Sequence, residues 1–287
     1  MFGFILAFIA ATSKATTDLF AKKGLGKTDE YVVAFALRFF SIPFLLAIIP
    51  FIEIPVLNTT FYIAVIASAF VNVIAQILYM KAIKASPLSL SIPFLSFAPL
   101  FLLVTSYLVL GEFPGILGTC GVFLVVMGAY ILNIKKVNGG VLNPLKHILK
   151  EKGSRYMLFV AFLYSITTNI DKIAINNSNP FVYAIAINIT LALFLFPVML
   201  RFSDNHVKDL FKHTKTLFPI GLFTAIASIA QYVAFTMILV VYVSAIKRTS
   251  SLFSIMYGKY FFNEDNIKSR LLGAAIMILG VLMITIL

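Results

Sequence analysis

Tryptophan is absent from this 287-residue chain, cysteine occurs once, and acidic residues number only 11. The single cysteine, Cys120, cannot form an internal disulfide or a multi-thiolate zinc site, so neither supports the fold. Charged residues make up 12% of the chain, against ~25% in a typical soluble domain. This scarcity of charge excludes both a water-soluble enzyme and a disordered chain, because each needs a solvated polar surface.

Hydrophobic residues are instead abundant, at 61% of the chain. Soluble domains contain roughly 45–50%, so the composition predicts a protein embedded in a bilayer. The net charge of +12 comes from 23 lysines and arginines that cluster between apolar runs. In that position they indicate cytoplasmic anchors of a multi-pass plasma membrane protein and no nucleic-acid partner.

Ten apolar runs are separable, and each is long enough for a helix of about 20 residues to cross the membrane. They lie near 2–21, 31–51, 60–80, 87–110, 114–134, 156–175, 181–201, 217–238, 241–262 and 268–287. The connections are short except for a basic linker at 135–155. The linker divides the chain into halves of five runs each, 1–134 and 156–287.

The two halves resemble each other. A shift of 152 residues places Glu112 on Glu264, Gly121 on Gly273 and Gly128 on Gly280. Shifts of 150 and 153 place Val32 on Val182 and Asp18 on Asp171. Because five crossings is an odd number, the second half enters the membrane from the opposite face. We therefore predict an all-α integral membrane protein whose ten transmembrane helices form two inverted five-helix repeats.

Charged residues inside the first run point to a functional site. Lys14 and Asp18 lie one turn apart on one helix face, and Lys14 is roughly 18 Å into the span. A charge at that depth costs at least ~2.5–3.5 kcal/mol, so it must face protein or a wet cavity. The pair is either a substrate or ion site or a structural ion pair.

Polar residues form matching stripes on the third and eighth runs. Asn72, Gln76 and Tyr79 follow one helix face, and the shift of 152 places Thr224, Ser228 and Gln231 at the same spacing. The stripes predict either a shared polar cavity or interhelical hydrogen bonds. The predicted substrate-binding residues are Lys14, Asp18, Asn72, Gln76, Tyr79, Asn169, Ser228, Gln231 and Arg248.

Other residues in the runs have more local interpretations. Arg248 either meets an anionic group or extends to the membrane interface, and Arg38 is expected to extend to the interface or to pair structurally. Pro93 and Pro99 free backbone carbonyls that can line a cavity or permit a bend.

The acids that follow the fourth and ninth runs, and the glycines of the fifth and tenth runs, are expected to be structural. Glu112 and Glu264 each end a run, and we expect them to cap a following helix rather than to carry a proton. The glycines of the fifth and tenth runs predict close helix packing. These glycines are Gly118, Gly121, Gly128, Gly273 and Gly280.

Catalytic and nucleotide-binding motifs are missing: there is no HExxH, no P-loop and no GxSxG. The three histidines lie in basic loops. We therefore predict no enzyme activity, no metal and no cofactor. ATP-driven pumping by this chain alone is excluded.

Two segments carry a resemblance to a known family. The stretch Ser89–Pro114, with Pro93, Pro99, Gly111 and Glu112, resembles the fourth-helix signature of EamA-type transporters in the drug/metabolite transporter superfamily. The stretch 243–265, VSAIKRTSSLFSIMYGKYFFNED, is similar to the ninth-helix version. The chain departs from the family in lacking the frequent tryptophan of the first span, so tyrosine or phenylalanine would have to form an aromatic cavity wall.

The resemblance implies one EamA-like repeat in each half and export or exchange of small metabolites, often amino acids, through a central cavity formed by spans 1, 3, 4, 6, 8 and 9. We predict a secondary transporter of a small polar metabolite, with amino acids as one candidate class. The alternatives are a phosphorylated, nucleotide-sugar or lipid-linked substrate and, from another class, a membrane-embedded lipid-modifying enzyme. The expected partners are a small-molecule substrate and membrane lipids, with a proton as a candidate coupling ion, and a monomer suffices.

Overall fold

The structure is a computed structural model that describes residues 1–85, 94–133, 152–204, 206–253, 256–257 and 271–286. Within these residues every regular element is helical, as predicted. The α-helices are α1 Phe2–Leu25, α2 Glu30–Phe39, α3 Ile42–Leu46, α4 Thr59–Ala85, α5 Ala98–Leu110, α6 Ile116–Asn133, α7 Lys152–Asn176, α8 Pro180–Phe202, α9 His206–Lys212, α10 Thr214–Met237, α11 Val240–Lys247 and α12 Leu271–Thr285. Most of the predicted linker, Pro93 and Glu264 lie outside the described residues.

Five helices, α1, α4, α7, α8 and α10, are long and apolar enough to cross a membrane. Three shorter apolar stretches lie in α5, α6 and α12. Large side chains such as Phe70, Leu108 and Leu193 are exposed, as expected of surfaces that face lipid. These helices fit a multi-pass membrane protein, and the count of ten spans stays a prediction.

The second apolar run, predicted as one span, is divided. Helix α2 begins after Asp29, whose carboxylate accepts hydrogen bonds from the backbone N–H groups of Tyr31 and Val32. It ends at Phe39, and α3 follows with Pro43 in its first turn. Since proline has no N–H, it cannot continue the helical ladder, and the chain turns instead. The Ser41 hydroxyl donates to the carbonyl of Arg38 at the break (2.8 Å).

The chain forms two compact units, each with segments from both halves. Unit A comprises Phe2–Ile77 and Ile170–Met237, and unit B comprises Leu78–Asn169 and Ile238–Leu287 together with Met1. Helices α4 and α7 contribute residues to both units.

In unit B, α6 and α12 pack antiparallel through glycines, which confirms the predicted close packing of the fifth and tenth runs. A Cβ on Gly121 would lie 2.9 Å from the Gly280 carbonyl oxygen, and a Cβ on Gly128 would lie 2.7 Å from the Gly273 carbonyl oxygen. Gly121 is the repeat equivalent of Gly273, and Gly128 of Gly280. Gly121 therefore contacts the equivalent of Gly128, and Gly128 contacts the equivalent of Gly121. Two segments related by a two-fold axis make contacts in this pattern.

In unit A, α1 and α10 also pack antiparallel. A Cβ on Gly24 would lie 3.1 Å from the Leu217 side chain, and the rings of Phe20 and Phe223 stack with centroids 6.2 Å apart. The buried residues of α1 are Leu19 and a set of small residues, and the small residues allow the helices to approach closely. These residues are Gly3, Ala7, Ala10, Ala11, Ser13, Ala15, Thr17, Ala21 and Gly24.

Candidate functional site

Lys14 and Asp18 form an ion pair on α1 within unit A, as their spacing predicted. The side chains are 34% and 32% exposed, respectively, although their helix is otherwise packed against α10. The pair is therefore neither fully buried nor fully exposed.

Arg38 lies near the end of α2, and its guanidinium is held by two amide side chains from other helices. Its Nε and Nη2 donate to Gln76 Oε1 on α4 (3.2 and 3.0 Å), and its Nη1 donates to Asn188 Oδ1 on α8 (3.1 Å). No carboxylate of the described residues lies within ion-pair distance of Arg38. Of the two alternatives that the sequence left open for Arg38, these contacts agree with structural pairing, because neutral amide oxygens hold the guanidinium among the helices.

Gln76, a predicted substrate-binding residue, is buried at this contact. Its carbonyl oxygen accepts from Arg38, and its Nε2 donates to the backbone carbonyl of Ala34 (2.9 Å). Gln76 therefore joins α4 to α2 and positions Arg38.

The contact between Arg38 and Asn188 reflects the internal repeat. The shift of 150 residues that places Val32 on Val182 also places Arg38 on Asn188. Equivalent residues that contact each other must lie close to the axis that relates them. The repeat axis of unit A thus passes near this hydrogen bond.

A second polar cluster in unit A surrounds Asp171 on α7. The residue is 5% exposed, and its carboxylate accepts hydrogen bonds from the hydroxyls of Ser68 on α4 and Tyr183 on α8. Asn72, another predicted site residue, donates to the Ser68 hydroxyl (3.1 Å). The Tyr183 ring packs edge-on against Tyr232 on α10, with centroids 4.8 Å apart. The cluster therefore connects α4, α7 and α8.

The polar stripe on α10 lies partly against α1. Thr224 and Ser228 are buried, and Gln231 is half-buried. The contacts of Gly24 with Leu217 and of Phe20 with Phe223 set an antiparallel register, which places Thr17 level with Thr224. Neither threonine hydroxyl has a hydrogen-bond partner among the described residues. Two unsatisfied hydroxyls thus lie at one level of this interface, within one turn of Lys14 and Asp18.

Lys172, next to Asp171, donates to the backbone carbonyl of Phe235 in the last turn of α10. That carbonyl has no donor within its own helix, and a cation there also complements the helix dipole. The contact ties α7 to the end of α10.

In unit B, Arg248 follows α11 and binds a backbone carbonyl that proline leaves free. Pro99 has no N–H to donate to the carbonyl of Leu95 four residues earlier, and Arg248 Nη1 donates to it instead (3.2 Å). Arg248 Nε donates to the carbonyl of Ser244 (3.3 Å). Arg248, a predicted site residue, therefore binds one of the carbonyls that the prolines were expected to leave free.

The remaining predicted residues of unit B are buried. Asn169 is fully buried on α7, where its Nδ2 donates to the Ser165 carbonyl (2.9 Å) and its Oδ1 has no partner among the described residues. Tyr79 on α4 is 5% exposed. An unsatisfied amide oxygen at this depth is costly.

Glu112 caps a helix, as expected, although not the one that follows it. Its carboxylate accepts from the backbone N–H of Val240, the first residue of α11 (3.2 Å). The acid compensates the positive end of that helix. Its repeat equivalent Glu264 lies outside the described residues.

Several residues of these clusters were not among the substrate-binding residues predicted from the sequence. They are Arg38, Ser68, Asp171, Tyr183 and Asn188. The repeat offers a signal for one of them, since Asp171 is the equivalent of Asp18. Ser68 and Tyr183 give no such signal, because serine and tyrosine are common in membrane helices for other reasons. Within the described residues, no three His, Cys, Asp or Glu side chains are grouped as metal ligands.

Comparison with known proteins identifies the family. The model of the EamA-like transporter family matches residues 1–134 and 151–286. One protein of known crystal structure aligns with a TM-score of 0.71 at 12% identity, over 99% of this chain and 97% of its own. That likeness shows the fold alone, and no curated protein matches the chain. Because the family match spans nearly all of the sequence in two repeats, the chain belongs to the EamA-like transporter family, a branch of the drug/metabolite transporter superfamily.

Proposed function

We propose that this protein is a secondary transporter of a small zwitterionic metabolite, such as an amino acid, in the plasma membrane. Family membership supports transport, and the Lys14–Asp18 ion pair supports the substrate class. About one third of each side chain is exposed, so a solute can reach both charges. A zwitterion can exchange partners with such a pair, its carboxylate binding Lys14 and its ammonium binding Asp18.

The exchange of partners is favourable only for a solute of matched charges. A purely anionic solute satisfies Lys14 but leaves Asp18 without a cation, and unpaired charge in a membrane is costly. A zwitterion satisfies both, so the total charge of the site does not change on binding. This favours an amino acid over the phosphorylated and lipid-linked alternatives.

We further propose that the ten spans form two inverted repeats, divided at the linker 135–155, and that transport proceeds by alternating access around a midplane cavity. The crossed glycine contacts of α6 and α12 and the contact between Arg38 and Asn188 support the two-fold relation. Inverted repeats can exchange conformations to open a site first to one side of the membrane and then to the other. No catalytic step is needed for this function, and the substrate leaves unchanged.

The test is counterflow into proteoliposomes loaded with a mixture of amino acids. We expect uptake of at least one labelled zwitterionic amino acid, loss of that uptake for its methyl ester, which lacks the carboxylate, and loss for its N-acetyl derivative, which lacks the ammonium. Equal uptake of a zwitterion and its ester would contradict the proposed site. Chemical conversion of the solute would contradict transport.

A further inference from the structure

We infer that one end of unit A binds the headgroups of anionic phospholipids. This basic surface is formed by the short helix α9 and by the ends of the long helices beside it. It comprises Lys27, Arg201, Lys208, Lys212 and Lys215, all of which are exposed. The binding concerns the surrounding membrane and is independent of the transported solute.

Side-chain contacts bring distant segments together at this end of the unit. Lys27 Nζ, after α1, donates to the hydroxyl of Thr216 in the first turn of α10 (2.9 Å). The Ser203 hydroxyl, after α8, donates to the carboxylate of Asp29, which precedes α2. Helix α9 packs on α2. The ends of α1 and α8 and the starts of α2 and α10 therefore meet at one face.

This face lies at the level of the lipid headgroups. Helix α1 has 24 residues and α8 has 23, so each is about 35 Å long at a rise of 1.5 Å per residue. The hydrocarbon core of a bilayer is ~30 Å thick. The last residues of both helices, and the connection from α8 to α10, therefore lie among the headgroups.

Helix α9 has the arrangement of a helix that lies along a membrane surface. Leu210 is 3% exposed and faces the protein, whereas Phe211 is 63% exposed. Val207 and Phe211 lie one turn apart on one face, and Lys208 and Lys212 lie one turn apart on the adjacent face. The apolar pair can enter the boundary of the hydrocarbon core while both ammonium groups stay among the headgroups.

The cations of the basic surface exceed the acids that could compensate them. None of the five forms an ion pair with a carboxylate of the described residues. Among the acids of residues 22–31 and 201–216, Asp204 is exposed, Asp29 and Asp209 are half-buried, and Glu30 is buried. The surface therefore presents an excess of positive charge to the outside of the protein.

An anionic phospholipid matches both features of this surface. Its phosphate accepts charge-assisted hydrogen bonds from ammonium and guanidinium groups, and its acyl chains contact Val207 and Phe211. A free phosphate supplies the charge but leaves the exposed ring of Phe211 in water. The expected position of the basic connections in the cytoplasm also places this surface against a leaflet that is rich in anionic lipids.

The experiment uses the absence of tryptophan from the chain. Phe211→Trp provides a single reporter in the full-length protein, which is reconstituted into vesicles of phosphatidylcholine and phosphatidylglycerol. Bromine atoms high on the acyl chains quench a neighbouring tryptophan, and either lipid can carry them. We expect stronger quenching when phosphatidylglycerol carries the bromine than when phosphatidylcholine does, at equal mole fraction. Equal quenching by the two lipids, or quenching by neither, would overturn the inference.

Tyr62→Trp is the matched control at the other end of unit A. Tyr62 is exposed near the start of α4, and the preceding connection is bound to the start of α8 by a hydrogen bond from Asn179 Nδ2 to the Glu53 carbonyl (2.8 Å). Residues 48–63 and 173–182 contain no lysine or arginine. Both brominated lipids should therefore quench this reporter equally. A preference for phosphatidylglycerol here as well would contradict a site at the basic surface.

Substitutions of lysine in the Phe211→Trp background separate charge from packing. Lys208→Gln, Lys212→Gln and Lys215→Gln should each lower the preference for phosphatidylglycerol by about fivefold, since each removes one cation near an anionic surface. The corresponding arginine variants should keep the preference. All three side chains are exposed, so the midpoint of thermal unfolding should not change. A preference that survives in the triple glutamine variant would overturn the inference.

A soluble competitor distinguishes a lipid from a free phosphate. Glycerol phosphate, compared with chloride at the same ionic strength, should leave the preference for phosphatidylglycerol in place, because it has no acyl chains to contact α9. Loss of the preference with glycerol phosphate but not with chloride would assign the basic surface to a soluble phosphate and overturn the lipid assignment.

Discussion

Three charged residues inside the apolar helices, Lys14, Arg38 and Asp171, are stabilised by different kinds of partner. Lys14 has an acid one turn away, Arg38 has two amide oxygens, and Asp171 has two hydroxyls. In an ion pair the two charges cancel, whereas amide and hydroxyl partners are neutral and do not cancel the charge of the residue that they contact. Only the first of these contacts therefore joins opposite charges.

The Lys14–Asp18 pair can be tested by a double-mutant cycle. If the pair binds substrate, Lys14→Met, Asp18→Asn and the double variant should all fold, and all should lose transport. Breaking a fully buried pair costs roughly 3–5 kcal/mol, and the partial exposure of these side chains lowers that cost. Thermal unfolding and counterflow are measured on each variant. A double variant that transports normally would show that the pair is only structural.

Gln76 is predicted to stabilise the protein through Arg38. Gln76→Leu removes both amide contacts of the Arg38 Nε and Nη2 groups and should lower the stability by about 2–4 kcal/mol, because a charged group loses its acceptors. The measurement is the midpoint of thermal unfolding in detergent. The double variant with Arg38→Met should recover part of the loss, since the charge is then gone. A loss that the second change does not reduce would mean that Gln76 acts through packing alone.

At the scale of elements, helices approach closely where a glycine lies at the contact. Gly221 on α10 illustrates this at the break between α2 and α3, where a Cβ would lie 2.2 Å from the carbonyl carbon of Phe40. No larger residue fits there without moving one of the helices. The break itself depends on Pro43, so a proline on one helix and a glycine on another together shape this part of unit A.

The packing of α6 on α12 leads to a prediction with two opposing terms. Gly128→Ala should raise helix propensity by ~0.5–1 kcal/mol, but its Cβ would lie 2.5 Å from the backbone nitrogen of Met277. Overpacking of this kind typically costs 1–3 kcal/mol and should dominate, so the unfolding midpoint should fall. Gly115→Ala is the control, because a Cβ there meets no atom within 4 Å. Equal midpoints for the two variants would contradict close packing.

At the scale of the whole molecule, the distribution of positive charge predicts the orientation in the membrane. The basic residues of the odd-numbered connections include Lys22, Lys23, Lys27, Lys81, Lys84, Arg201, Lys208, Lys212, Lys215, Lys259, Lys268 and Arg270. The even-numbered connections contain almost none. The positive-inside rule therefore places the odd connections in the cytoplasm and both termini outside, although the family resemblance implies termini inside.

Single cysteines in a Cys120→Ser background test this orientation and the inverted repeat together. Lys27 and Asn176 are exposed, and they lie after the first and sixth predicted spans, respectively. In intact cells, a membrane-impermeant thiol reagent should label Asn176→Cys and should reach Lys27→Cys only after permeabilisation. The opposite labelling pattern would agree with the inverted repeat but contradict the predicted orientation. Labelling of both cysteines from the same side of the membrane would contradict the inverted repeat.

The sequence by itself determined the membrane environment of the protein, its all-α class, its family and the approximate position of most helices. These follow from local quantities: the length of apolar runs, the spacing of Lys14 and Asp18 on one helix, and the offset that relates the glycines of the two halves. Periodicity and composition act within a few turns of helix, so they can be read without knowing which helices are neighbours.

Only the tertiary structure decided which polar groups meet. Arg38 contacts Gln76 and Asn188, which lie 38 and 150 residues away along the chain, and Asp171 contacts Ser68 across 103 residues. No local pattern indicates such partners, because they depend on how antiparallel helices are paired and rotated. The sequence shows that a charge inside an apolar helix needs a partner. The packing of the helices determines which residue that partner is.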